Sequence, residues 1–255
     1  MIFWAVNGLI ALYLLAPVIV VVATAFTTTA YPVFPPRGFT LRWFDAFLGN
    51  ADFLESMRIS AVLALASTAI ACILGTAAAL GLARARVRGR SAVAALFLSP
   101  IFFPAIVLGL ALLIVFTRAG LAGTLWGMVA AHVVLTTPFV LRMVAASLGD
   151  FDPAVEEAAR NLGAGWARTF FQVTLPLIRP GVLAGAVFAF ILSFDELVVS
   201  LFLAGPGLQT LPIRIFTFVE YSSAPTISAI STVLILVWMI LGVPLYRRFL
   251  DVKHA

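Results

Sequence analysis

Three side chains able to carry charge or a proton sit inside long apolar runs: His132 in LWGMVAAHVVLTTPFV, and Asp195 with Glu196 in FILSFDELVVSLF. An ionised carboxylate in hydrocarbon is costly unless it faces water or a partner, so each residue needs a reason to be there. A carboxylate lining a water-filled path is a negative site for a cation, and a histidine titrating near neutrality beside an acid relays protons. The same residues also read as structure. Asp195 or Glu196 can accept hydrogen bonds from an interior helix end or from Ser193 or Ser200, and His132 can pack between helices through Thr136 or a neighbour. Other chemistry is poorly provided for. Cys72 is the only cysteine, so neither a disulfide nor a cysteine metal site can form within the chain. A phosphate-cradling P-loop needs Gly-Lys-Ser/Thr, and the only lysine is Lys253 near the C-terminus.

The elements that must position these residues follow from composition. With 63% hydrophobic and 11% charged residues in 255, and a mean hydropathy of +1.13, the chain cannot present an ordinary soluble surface. It reads as an all-α polytopic membrane bundle, long enough for roughly six helical spans of about 20 residues. Apolar runs place them at about 3–26, 57–83, 91–117, 124–148, 181–204 and 225–245 of a single domain. The first run is too long for a secretory signal and has no basic region before it. Between the first two spans, YPVFPPRG and LRWFDAFLGNADFLES suit an interfacial loop with a short amphipathic helix. Pro100 and Pro104 break and bend the third span, because each removes a backbone donor. A net charge of +5 would suggest nucleic acid in a soluble protein; here the arginines cluster at span ends, and no nucleic-acid role is expected.

Counting those basic residues orients the chain. With the N-terminus inside, eleven fall in cytoplasmic segments: Arg84, Arg86, Arg88 and Arg90, then Arg142, Arg160, Arg168 and Arg179, then Arg247, Arg248 and Lys253. Five fall outside: Arg37, Arg42, Arg58, Arg118 and Arg214. The excess of Lys and Arg in cytoplasmic loops thus puts both termini, and the polar loop at about 149–180, in the cytoplasm.

That loop holds Glu156, Glu157, Arg160, Arg168 and Arg179 between two spans. A solvated connector is the plain reading of such charge, but the local chemistry describes a shaped element. Asp152 can cap a helix with Pro153 at its first position, and Glu156 and Glu157 lie near the positive end of the helix dipole. Ala158 and Ala159 leave room for a close partner, and Gly163 permits the sharp turn that ends the helix. In GWARTFFQVTLP, Trp166, Phe170 and Val173 share a face, and Pro176 and Pro180 are expected to stop this second segment and aim the fifth span.

The spacing Glu157-Ala158-Ala159, three residues, Gly163, nine residues, Val173, one residue, Leu175-Pro176 resembles the EAA signature of ABC importer permeases, with Val where Ile is commoner. The resemblance implies a coupling helix carried by Glu156, Glu157, Ala158, Ala159, Gly163, Leu175 and Pro176, seated in a groove of a separate ATPase chain. It implies that ATP and Mg belong to that ATPase, with no cofactor in this chain, which is a transport subunit and not an enzyme. Its partners would be a second permease, as a hetero- or homodimer, two ATPase subunits, a periplasmic binding protein docking near GPGLQTLP at 205–212, and the lipid of the bacterial inner membrane. FPPRGFTLRWF, LSPIFFPAIVLGLALL and FILSFDELVVSLFLAGPGLQTLPIRIF are similar to the second permease of spermidine/putrescine-type systems. A polyamine is the implied substrate, with Asp195, Glu196 and His132 as candidates for its path. Similar permeases serve amino-acid derivatives, opines, thiamine, iron and phosphonates. Two other classes stay open on the residues alone: a proton-coupled secondary transporter or channel using His132, Asp195 and Glu196, and a membrane scaffold or enzyme using the polar loop for assembly.

Overall fold

The computed structural model describes residues 2–84, 89–149 and 152–252. Arg86, Arg88 and Lys253 of the charge count lie outside the described residues. The described residues are mostly helical, with no strand among them beyond an isolated bridge of Gly205 with Leu208. It divides into two units, residues 1–56 with 214–255, and residues 57–213.

The first unit contains α1 (Ile2–Thr24), α2 (Arg42–Leu48), the start of α3 (Ala51–Arg84) and, from the far end of the sequence, α12 (Thr226–Val252). The expected amphipathic helix is α2. Asn50 then starts α3, its Oδ1 accepting the backbone N–H groups of Asp52 and Phe53 at 3.0 and 3.2 Å. Phe53 packs edge-on to Phe47 and Phe218, and Asp52 pairs with Arg214. Thr24 Oγ1 donates to Ser228 Oγ at 3.1 Å, a side-chain bond from α1 to α12.

The second unit holds the rest of α3, then α4 (Arg90–Leu98), α5 (Ala105–Arg118), α6 (Leu125–Gly149), α7 (Ala154–Asn161), α8 (Trp166–Thr169), α9 (Leu175–Asp195), α10 (Val198–Leu203) and the start of α11 (Leu211–Tyr221). Helix α6 is its axis and lies against α9 through small residues. An added Cβ on Gly185 would stand 2.9 Å from the Val140 Cα, and one on Gly181 would stand 2.6 Å from the Met143 carbonyl oxygen. Such glycines let helix backbones approach where lipid removes the hydrophobic drive for association. Val140, Val144, Ile178 and Ala189 fill the contact with Ala71 and Ala79 of α3.

Among the described residues four helices are long and apolar enough to cross a membrane: Phe3–Thr24, Ala51–Arg84, Leu125–Gly149 and Trp166–Asp195. The expected third span is a helix pair bent by 108°, with a 3-10 turn at Ser99–Phe102 and Pro104 extended ahead of α5. The proline break is where the sequence placed it. The fifth span differs from expectation. Helix runs unbroken from Trp166 to Asp195, passes through Pro176 and Pro180, and stops at Glu196, leaving α10 as a separate piece. Pro176 does not end it because it follows directly on the π turn at Phe170–Thr174, which shifts the hydrogen-bond register just before the residue that lacks an N–H; Pro180 lies inside α9 without ending it. A shorter apolar helix, Thr226–Ile240, lies within α12.

Candidate functional site

Besides running its second helix on through Pro176 and Pro180, the polar loop departs from the sequence reading in the side of α7 that Glu156 takes. Asp152 Oδ1 accepts the Ala154 N–H at 2.9 Å, opening α7. At the other end, Gly163 takes φ +87°, its N–H bonds to the Arg160 carbonyl at 2.9 Å, and the Ala164 N–H bonds to the Ala159 carbonyl at 3.1 Å. This pair of bonds across a left-handed glycine is the Schellman closure, which satisfies carbonyls left open at a helix end. Just before the turn, Leu162 is 90% exposed. Its sequence signal is an apolar residue directly before the helix-ending Gly163. Glu157 and Ala158 are exposed and Ala159 half-buried. Past the turn, Trp166 and Phe170 stack at 5.9 Å, Val173 and Leu175 are half-buried, and Pro176 is exposed.

Glu156 points inward. It is buried, its Oε1 accepts the Thr174 hydroxyl at 2.5 Å, and the same oxygen pairs with the Arg84 guanidinium at the end of α3. Glu156 and Glu157 therefore sit on different sides of α7, as expected of neighbours about 100° apart on a helix. Beside this contact an apolar cleft of about 700 Å³ opens between α3 and the α8–α9 helix, with Cys72, Leu80, Phe170 and Val182 in its walls and Arg84 at its edge.

The residues proposed for a path are distributed differently from one another. His132 is fully buried, with Nδ1 2.8 Å from Ser193 Oγ and Nε2 2.9 Å from Ser200 Oγ; Ser193 Oγ is in turn 2.8 Å from Ser67 Oγ. Thr136, one helical turn on, donates its hydroxyl to the His132 carbonyl at 2.7 Å. Both ring nitrogens are thus occupied by hydroxyls, and a four-residue chain joins α3, α6, α9 and α10. Neither carboxylate takes part in it. Asp195, the last residue of α9, is exposed. Glu196 is half-buried and its Oε1 accepts the Val199 N–H at 2.8 Å, which caps α10. Among the described residues no three His, Cys, Asp or Glu side chains converge on a point where a metal could bind.

Replacing His132 with Leu would orphan the buried Ser200 hydroxyl and leave Ser193 with Ser67 alone. We expect a lower unfolding temperature for the protein in detergent, equivalent to about 1–3 kcal/mol, the modest scale of hydrogen bonds buried in membrane bundles. An unchanged melting curve would show that Ser193 and Ser200 find other partners.

Residues 71–251 match the family described as binding-protein-dependent transport system inner membrane component. The spermidine/putrescine transport system permease protein PotC of Escherichia coli (strain K12) is 31% identical over 229 residues, which is 90% of this chain and 86% of the relative. The putrescine transport system permease protein PotI of the same strain is 31% identical over 261 residues, 95% of this chain and 92% of the relative. Among solved structures, a chain of a bacterial ABC transporter involved in import of the acidic polysaccharide alginate superposes with a TM-score of 0.76, covering 97% of this chain and 96% of that one at 17% identity. At that identity the likeness is one of fold.

Proposed function

The chain belongs to the binding-protein-dependent transport system inner membrane components, the permease subunits of ABC importers, and from that premise we propose that it carries a polyamine such as spermidine or putrescine across the membrane by alternating access. The observation that carries the substrate assignment is Asp195: an exposed carboxylate ending an apolar membrane helix, in a chain 31% identical to two polyamine permeases over nine-tenths or more of its length. A carboxylate there is stabilised by facing water or a cation. Glu196 stands behind it as the cap of α10, and His132 as a brace between helices, so their contribution is to hold the break at which Asp195 is displayed.

The machine around this subunit has a second permease, two ATPase chains that bind ATP and Mg, and a periplasmic binding protein. Six membrane crossings, counting the bent α4–α5 pair as one and α12 as the last, would leave both termini and the α7 loop on one side, and the excess of arginine in those segments supports the cytoplasm as that side. There α7 is the coupling helix. Its outer side, with Glu157, small Ala158 and the protruding Leu162, fits a groove on the ATPase; the aliphatic tip supplies the apolar anchor and the carboxylate the orientation.

The test is uptake by the complete complex in proteoliposomes. Spermidine uptake driven by ATP is expected, and Asp195→Asn is expected to lower it about tenfold, equivalent to about 1.4 kcal/mol, while the complex still assembles. Uptake of an anionic solute such as a phosphonate in place of polyamine, unaffected by Asp195→Asn, would overturn the assignment.

A further inference from the structure

A coupling helix must do two things, receive motion on one side and pass it on from the other. The exposed side of α7 is suited to the first, but nothing in the signature spacing says how a short helix of eight residues moves the membrane helices. Its covalent attachments are poor levers, since the Gly163 turn follows it directly. Among the described residues, its inner side makes polar side-chain contact with other elements at Glu156.

We propose that Arg84, Glu156 and Thr174 form the joint through which displacement of α7 is delivered to α3 and α9 together, and that Glu156 is a positioning residue of the transport cycle and not part of the ATPase-docking surface. This rests on the reading of the chain as an ATP-driven permease with α7 as its coupling helix.

The geometry supports the joint in three ways. First, a single carboxylate oxygen serves both partners, so α3 and α9 are tied to the same point on α7. Arg84 is the last residue of α3, 72 positions from Glu156, and Thr174 directly precedes α9. Second, Arg84 lines the apolar cleft between α3 and the α8–α9 helix, so the carboxylate contact ties the two together beside a gap in their packing. The Glu156 side chain is 11% exposed and that of Arg84 37%, so separating them would leave a carboxylate largely out of water with its cation removed. Third, the π turn at Phe170–Thr174 adds a residue to the helix just before the contact. In a regular α-helix the register would differ by one residue, turning Thr174 by about 100° away from α7. Thr174 is 1% exposed, and its hydroxyl is directed at Glu156. From α9 the movement reaches α6 through the close contacts at Gly181 and Gly185.

The experiment uses the complete complex, permease pair, ATPases and binding protein, in proteoliposomes, with ATPase co-purification, ATP hydrolysis and spermidine uptake measured on the same preparations. Glu156→Gln and Thr174→Val are each expected to retain the ATPase and hydrolyse ATP while uptake per ATP falls about tenfold, within the range for mutations along a coupling network. Arg84→Glu and Glu156→Arg are each expected to fall further, and the double exchange Arg84→Glu/Glu156→Arg to recover part of the ratio, which a packing role alone would not give. Loss of the ATPase on Glu156→Gln would return Glu156 to the docking surface, and an unchanged uptake-to-hydrolysis ratio in both neutral variants would dismiss the joint. Should Glu156→Gln fail to accumulate in the membrane, Thr174→Val, which keeps the ion pair, decides by the same ratio. Absence of ATP-dependent spermidine uptake by the unaltered complex would instead overturn the polyamine reading beneath it.

Discussion

Gly185→Leu is expected to remove the protein from the membrane fraction, or to leave it aggregated on detergent extraction. A Cβ at residue 185 would meet the Val140 backbone at 2.9 Å, and backbone cannot rotate aside as a side chain can. The two helices would have to separate, opening the contact among Val140, Val144, Ile178 and Ala189. Overpacking of this kind costs about 1–3 kcal/mol in soluble cores, and more where rigid elements must part. In a bilayer, lipid tails solvate the separated faces as well as leucine does, so no hydrophobic drive pulls the helices back together. Gly8→Leu in α1, where nothing lies within 4 Å of the added atom, is the matched control and should accumulate like the parent. Size-exclusion chromatography of both variants checks the pair; equal monodisperse yields would mean that α6 and α9 approach less closely than described.

Glu157→Lys and Gly163→Asp are expected to reduce ATP-driven uptake to background while the subunit still reaches the membrane in normal amount. Neither substitution threatens the fold. Glu157 is exposed, and a cation in the first turn of α7 opposes the helix dipole by only about 0.3–1 kcal/mol. Gly163 has open space around it, so Asp there bears mainly the strain of φ +87°, about 1–2 kcal/mol for a non-glycine residue. On the proposed coupling role, what both changes alter is the surface offered to the ATPase: one reverses its charge, and the other loosens the Schellman turn that displays Leu162. Uptake assays beside immunoblots of the membrane fraction separate coupling from stability. Normal uptake in both variants would sink the docking role of this face.

Much of this architecture was legible in one dimension. Hydropathy alone demands a helical bundle, since backbone polar groups in hydrocarbon must bond within their own helix. The 108° bend of the third apolar run lies at Pro100 and Pro104 because proline removes a donor wherever it stands. The turn at Gly163 was likewise local, needing only a residue free to adopt positive φ. The EAA spacing placed the chain in its family, because that family is defined by a sequence pattern.

The remaining features depended on residues far apart in the chain. Glu156 and Glu157 are indistinguishable as neighbours in a sequence, and only packing against Arg84 and Thr174 buries one and leaves the other in water. The hydroxyls on the two ring nitrogens of His132 belong to Ser193 and Ser200, 61 and 68 positions away, and no local pattern announces them. The helix passes through Pro176 because a π turn precedes it, an option that proline counting does not weigh. Periodicity and composition decide what a segment is, since those depend on each residue and its near neighbours. Which side of it does work is decided where helices meet, because a hydrogen bond needs its donor and acceptor in one place, and their separation in sequence says nothing about that.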